Sequence, residues 1–390
     1  MNEINRQSLD LHRRHGGKIE LALKVPLDSV HDLSLAYTPG VAAACAAIQD
    51  SSTELKCLSV AGNAVAVVTD GSAVLGLGDI GPQAAMPVME GKAALFKKLA
   101  NIDGWPICLD AREPDAVVSA IRAIAPGFAG INLEDISAPR CFEIEDRLQD
   151  LGIPVMHDDQ HGTAIVLLAG LLNAVKVTGK AFSSLRVVIS GAGAAGRAIV
   201  RLLRCIDQIP ETCDSVGEII VCDSRGALHR DRTDLGPVKE AILEFSNPGN
   251  KRGALKEMLA GADIFIGVSR AGLLVEADIK TMATDPIIFA LANPEPEIHP
   301  DAARAGGASI VATGRSDFHN QVNNVLAFPG IFRGALDTGA PKITDAMKTA
   351  AARAIAQSIV NPDPEHILPP ALDPDVPQRV ARAVAAAVAK

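Results

Sequence analysis

Two acidic pairs stand where strands should end: Glu134-Asp135 in INLEDIS and Asp158-Asp159 in MHDDQHG. Adjacent residues of a regular strand point to opposite faces. Both members of a pair therefore serve one site only if the chain leaves strand geometry there. Strand ends in an α/β sheet are where such sites form. Three or four carboxylates with no cysteine beside them suit a hard cation, Mg2+ or Mn2+, with oxygen ligands. Solvated strand-end acids are the competing reading. HDDQH (157–161) also spaces two histidines as a zinc-protease helix does, with Asp158 where that helix carries glutamate. The stretch follows a strand and runs into Gly162, which argues against a helix and against zinc hydrolysis.

Lys92, in MEGKAALFKKL, reads as a first-turn lysine, poorly placed for the helix dipole. In an apolar pocket its pKa would fall enough for base work. Lys97 and Lys98 on the same helix read as solvated. Tyr37 is the only tyrosine and lies in a Pro-Gly turn, where its phenol serves either as an acid or as packing.

The pattern G-x-G-x-x-G occurs twice. Gly191, Gly193 and Gly196, with Ala194 and Ala195 between the last two, follow the strand RVVIS and open the helix AAGRAIVRLLR. A pyrophosphate fits there, against free N–H groups and the positive helix end. EIIVCD then ends in Asp223, an acid for the ribose hydroxyls. The longer than usual spacing is assigned to an inserted loop, IDQIPETCDSV. Asp223 favours NAD by repelling a 2′-phosphate, whereas Arg225 offers that phosphate a partner; the balance tips slightly to NAD. The first match, Gly76, Gly78 and Gly81, follows a turn and meets Pro82 rather than a helix. It reads as strand and loop lining a site.

The elements that must position these groups alternate. AVAVVTDGSAVLGLG (64–78) reads as two strands around Asp70-Gly71, and residues 86–102 as a helix. WPICLD, a helix near 113–125 and AGINLED follow. PVMHDDQHGTA is a strand running into a loop, and 164–179 a buried apolar helix. From Leu185 strands and helices alternate again, which means a mostly parallel sheet. Two Ala-rich helices, near 343–359 and 377–389, close the chain.

The 390 residues are too many for one core and suit two or three domains; a boundary is expected near residue 160. With 48% apolar and 21% charged residues the chain is globular. A net charge of −9 argues against nucleic acid as a partner. No uninterrupted apolar run reaches a membrane span, and the polar N-terminal stretch has no signal core, so the expectation is a cytoplasmic protein without membrane attachment. Seven scattered cysteines without C-x-x-C argue against a disulfide framework and read as small buried apolar residues.

Taken together, these residues resemble the malic enzyme family in its short bacterial form, over roughly residues 15–385. The carrying motifs are LAYTPGVA, VTDGSAVLGLGDIGP, PVMEGKA, INLEDISAP, HDDQHGTA, SGAGAAG, LANPEPEI and FHNQVNNVLAFPGIFRGAL. The resemblance implies an α/β fold: an N-terminal substrate and metal domain over 1–160, then a Rossmann-type doubly wound NAD(P)-binding domain with C-terminal helices over 161–390. It implies oxidative decarboxylation of L-malate to pyruvate and CO2 with NAD or NADP and a divalent metal. It assigns Glu134, Asp135 and Asp159 to the metal, Lys92 as general base, Tyr37 as general acid and Asp158 as the group tuning Lys92. Asn293 and Asn324 would hold the substrate carboxylates, Asn293 beside the cofactor. Where longer relatives carry a substrate-gripping arginine, this chain has Ser72 and Ala73, so Ser72 or nearby backbone must replace it. The resemblance also implies a homodimer or dimer-based oligomer in which Tyr37 reaches a neighbour's site. The rival readings are another Rossmann-type dehydrogenase and a non-catalytic NAD-binding sensor.

Overall fold

Short runs of valine, isoleucine and alanine, covered by helices on both faces, build two separate sheets whose main strands are all parallel. The computed structural model describes residues 3–74, 76–206, 208 and 214–388. Four short helices come first: α1 (Glu3–His15), α2 (Val30–Ala36), α3 (Val41–Asp50) and α4 (Leu55–Leu58). None of the four holds a buried residue. Leu21 and Val30 are each 81% exposed, and Leu23, Leu35 and Tyr37 are also exposed.

The first sheet has the order β2-β1-β3-β4, from β1 (Ala64–Thr69), β2 (Asp103–Cys108), β3 (Gly130–Leu133) and β4 (Val155–His157). Strand β1 alternates between two cores. Ala66 and Val68 face α6 (Pro114–Ile124) and α7 (Arg140–Leu148), through Val117, Ile121, Ile144 and Leu148. Val65 and Val67 join Met89 and Phe96 of α5 (Gly81–Ala100). From β4 the chain turns directly into α8 (Asp158–Thr178). Its length and composition would cross a bilayer, yet most of it is buried inside the protein, against α9 (Ala194–Leu203) and α15 (Asp345–Ala356).

The second sheet has the order β10-β9-β8-β5-β6-β7. Its strands are β5 (Arg186–Ser190), β6 (Glu218–Asp223), β7 (Gly226–Ala227), β8 (Ile264–Gly267), β9 (Ile287–Ala290) and β10 (Ile310–Thr313), with β7 antiparallel. Helices α10 (Pro237–Glu244), α11 (Leu255–Leu259), α12 (Glu276–Ile279) and α13 (Pro300–Ala305) lie among these strands in the chain. Strand order reverses between β5 and β8 here, and between β1 and β3 in the first sheet. These are the switch points where ligands bind in such folds. Helices α14 (Phe328–Thr338) and α16 (Val376–Val388) pack together, and α14 returns to the first sheet. There Phe328 and Phe332 meet Phe96 edge-on, at 4.7 and 5.4 Å between centroids.

Several local expectations change. Among the described residues of 71–78 no second strand forms; one bridge, Val74 to Gly78, is made. Gly71, Gly76 and Gly78 all hold left-handed φ of 67–76°, which a strand does not contain. A helix does follow Gly81: Pro82 sits in the first turn of α5, where its missing N–H costs nothing. Lys92 is therefore in the body of α5. HDDQH is not a loop either, because α8 opens at Asp158, with two acids in the first turn to suit the dipole. Helices α7 and α14 had no forecast. Cys141 and Cys222 are buried as expected, but Cys45 and Cys57 are exposed and Cys205 is disulfide-bonded. The inserted loop expected near 206–216 lies mostly outside the described residues.

Asp345 on α15 binds Arg201 of α9 at 3.0 Å and Lys348 at 2.8 Å. Burial alone would raise its carboxyl, but Lys348 and Arg201 outweigh that and hold it at about 2. A carboxyl depressed in the folded state adds stability above its unfolded pKa and loses it as pH falls through the folded one. Asp345→Asn should therefore cost about 2 kcal/mol at neutral pH, and the deficit should shrink between about pH 4 and pH 2. Urea unfolding at several pH values checks this; a deficit independent of pH would contradict it.

Candidate active site

The chain leaves strand geometry just where the first acidic pair needs it to. Asp135, two residues past the end of β3, has φ 53°, a left-handed conformation that aspartate tolerates better than most residues. At the next strand end β4 stops at His157, and α8 starts with Asp158 and Asp159 in its first turn. The Asp135 N–H donates to Asp159 Oδ2 at 2.8 Å, which brings the two pairs together.

Lys92 stands between them. Its Nζ donates to Glu134 Oε1 at 3.0 Å and, by a shorter contact, to Asp158 Oδ2. It also lies 3.9 Å from the centroid of the Phe328 ring. The apolar surroundings expected for Lys92 are present in part, but the expected fall in pKa is reversed. Burial lowers it; Asp158 and Glu134 outweigh burial and raise it above the usual lysine value. Glu134 is pushed well above the carboxylate range, first by burial; Lys92 opposes this, and Asp159, Asp158 and Asp135 add to it. Four carboxylates thus face one ammonium. Asn132, two residues before Glu134 on the same strand face, steadies it with an Nδ2–Oε2 bond of 2.8 Å.

This donor set fits a divalent cation chemically: oxygen donors only, with an excess of negative charge. As they stand, among the described residues, no three Asp, Glu, His or Cys side chains already surround one point. Glu134 is turned to Lys92, and Asp159 to the Asp135 N–H. The histidines of HDDQH do not pair. His161 faces Glu145 of α7, and His157 Nδ1 is 3.9 Å from Asp159 Oδ2.

Asn324 joins the cluster from the β10–α14 connection. Its Nδ2 donates to Asp158 Oδ2 at 3.1 Å, and its Oδ1 accepts from Thr163 at 3.0 Å. Ser72 lies alongside, but its hydroxyl is already engaged. It donates to Asp70 at 2.5 Å and accepts the Ser137 N–H at 2.9 Å. Arg140 binds the other Asp70 oxygen at 2.9 Å. Among the described residues, no hydrogen bond links Tyr37, Asn293 or the second glycine loop to this cluster. Tyr37, 66% exposed, follows α2. Asn293 follows β9, its Nδ2 3.4 Å from Leu291 O.

The second glycine loop has the form that its pattern predicts. Gly193 caps α9 with no side chain, and Ala194 and Ala195 form the first turn. A side chain on Gly191 would meet Val268 O at 2.6 Å, and one on Gly196 would strike Gly191 O. Asp223 ends β6 as expected but is not alone. Arg232 grips it through two bonds of 2.9 and 2.8 Å and Lys239 through one of 2.6 Å. Burial would raise its carboxyl; Arg232 and Lys239 hold it at about 2. Arg225 donates its N–H to Asp223 but sends its side chain to Asp234. The repulsion that favoured NAD over NADP is thus largely cancelled by two cations that spacing alone did not single out.

Residues 16–149 match the family model for the malic enzyme N-terminal domain and residues 160–390 the one for the malic enzyme NAD-binding domain. The chain is 52% identical to the bifunctional malic/malolactic enzyme of Bacillus subtilis, over 99% of this chain and 92% of that protein. It is 53% identical to the NAD-dependent malic enzyme of Geobacillus stearothermophilus, over 95% and 76% respectively. The crystal structure of the NAD-dependent malic enzyme of Thermotoga maritima superposes with a TM-score of 0.92 at 48% identity, covering 97% of this chain and 98% of that one.

Lys92 is the only cation hydrogen-bonded to Glu134 and Asp158 among the described residues. Lys92→Met should destabilise the metal-free protein by about 3 kcal/mol. Adding Asp158→Asn should restore part of that loss in urea unfolding. An unchanged stability in the single variant would contradict the buried pair.

Proposed function

The chain belongs to the malic enzyme family, and from that premise we propose which of its residues perform the chemistry. The reaction is oxidative decarboxylation of L-malate to pyruvate and CO2 with reduction of NAD+ or NADP+. This displaces the readings as another dehydrogenase or as a sensor. The observation that carries the assignment is Lys92 Nζ held between Glu134 and Asp158, beside the contact of Asp135 with Asp159.

Glu134, Asp135 and Asp159 hold the divalent metal, Mg2+ or Mn2+. When bound, it would supply a Lewis acid for the negative charge that develops as CO2 leaves, and a bound dinucleotide would supply the acceptor for the C2 hydride. Lys92 takes the proton from the C2 hydroxyl. To do so it must first release its own proton, and Asp158, hydrogen-bonded to it and with a second buried oxygen that accepts no bond, is the adjacent acceptor. Asn324, tied to Asp158, and Asn293 orient the substrate carboxylates. Ser72 contributes by holding its loop against Asp70 and Ser137, beside the acidic cluster.

Tyr37 protonates C3 of the enol product, in the site of a second copy. Two observations support this. The tyrosine is two-thirds exposed, and the arm that carries it leaves Leu21, Leu23, Val30 and Leu35 uncovered. A homodimer, or an oligomer built on it, would cover them. Functionally the chain divides at residue 160, with the metal and proton chemistry before it and the dinucleotide loop after it. We assign the protein to the cytoplasm.

An assay at 340 nm with L-malate, either dinucleotide and Mn2+ tests the proposal. Lys92→Ala should lower turnover by about a hundredfold or more while dinucleotide binding persists; wild-type turnover would refute its role. Lys92→Ala and Tyr37→Phe subunits, each nearly inactive, should regain activity when exchanged into mixed dimers. No recovery in verified mixed dimers would rule out Tyr37 acting across the interface.

A further inference from the structure

Beneath the second acidic pair lies a carboxylate to which neither the motifs nor the mechanism assigns a task. Glu145 sits on the inward face of α7, between Ile144 and Leu148, and is only 7% exposed. A carboxylate on a buried helix face is costly unless donors surround it. Among the described residues, its hydrogen-bond donors come from one pentapeptide. The His157 N–H donates to Oε1 at 2.9 Å, Gln160 Nε2 to Oε2 at 2.9 Å, and His161 Nε2 lies 3.1 Å from Oε2. An ionised carboxylate only accepts, so His161 carries its proton on Nε2.

These three anchors bracket Asp158 and Asp159. His157 precedes them as the cap residue of α8, with no side-chain cap of its own, and Gln160 and His161 follow in the first turn. Both acids must hold their directions, Asp158 toward Lys92 and Asn324, and Asp159 toward Asp135. We propose that Glu145 is a positioning residue: by gripping HDDQH from behind at three points, it holds Asp159 in place for the metal and Asp158 for Lys92. The His161 ring is thus a clamp contact, while His157 serves the same carboxylate through its backbone N–H.

The surroundings make this testable. Glu145 borders a polar cavity of about 160 Å³, lined also by Arg197, Arg201, Asp345 and Lys348, rather than solid apolar core. An amide can replace it without opening an apolar void. Glu145→Gln keeps the shape but loses one acceptor oxygen, so one of the three anchors is freed.

The inference rests on the metal assignment above, and one series on the full-length enzyme separates the two. Mn2+ affinity is read by electron paramagnetic resonance of the free ion, dinucleotide affinity by calorimetry, and folding by thermal unfolding. Glu145→Gln should weaken Mn2+ binding about tenfold or more, with dinucleotide affinity unchanged and unfolding still cooperative. Gln160→Ala, which removes one anchor and leaves the carboxylate, should weaken it by a smaller factor, and it decides the matter if Glu145→Gln does not fold. A generally loosened protein would lose thermal stability without this selective loss. Wild-type Mn2+ affinity in the folded variants, with binding abolished in Asp159→Ala, would overturn the role of Glu145 alone. Mn2+ binding that is absent from the wild type, or unaffected by Asp159→Ala, would overturn the metal assignment and this inference with it.

Discussion

One ammonium cannot neutralise four neighbouring carboxylates, and that imbalance governs the site. Lys92 compensates Glu134 and Asp158 directly, while Asp159 accepts the backbone N–H of Asp135. Burial first, and then the neighbouring acids, raise the protonation tendency of Glu134, while Asp158 and Glu134 fix the proton on Lys92. Both effects are the reverse of what catalysis by a free amine requires. A dication on the same acids would relieve both at once, because it competes for the carboxylates that now hold the lysine. Metal binding and base strength are therefore one electrostatic problem at this site.

The fold solves the placement part of that problem with one helix. The first turn of α8 carries Asp158 and Asp159, and its body packs on α9, which opens directly from the second glycine loop. Acids and loop are thus fastened to two helices in direct contact, buried between the sheets, rather than to mobile connections. Helix α14 completes the arrangement from the far end of the chain. It lays Phe328 against Lys92 and stacks Phe328 and Phe332 on Phe96, which ties the C-terminal helices to the first sheet.

What the sequence disclosed and what it hid divide along physical lines. Apolar strand runs alternating with helices disclosed the parallel sheet from Leu185 onward, because burial on two faces leaves near-continuous apolar segments. The glycines at 191 and 196 were legible because close backbone approach admits no other residue. The loop at 71–78 misread as a hairpin because valine alternation outweighed left-handed glycines whose φ a sequence does not display. HDDQH misread as a loop because Gly162 suggested a break; it is small because Asp158 and Asn324 press against it. Glu145, Arg232 and Lys239 were missed since each acts through partners distant along the chain. The one local signal for Glu145 was an acid at helical spacing between Phe142 and Leu148, on the apolar face. The pKa of Lys92 was forecast with the wrong sign because burial was weighed without the carboxylates that fold onto it.

The central claim is that the two acidic pairs and Lys92 form a single centre whose excess negative charge a dication largely offsets. Anomalous diffraction from crystals of the protein grown with Mn2+ tests it most directly. The account predicts one strong manganese peak bonded to Glu134, Asp135 and Asp159, with the Lys92 to Glu134 contact lengthened. A manganese peak elsewhere, or none at saturating metal with that contact still at hydrogen-bond distance, would contradict it.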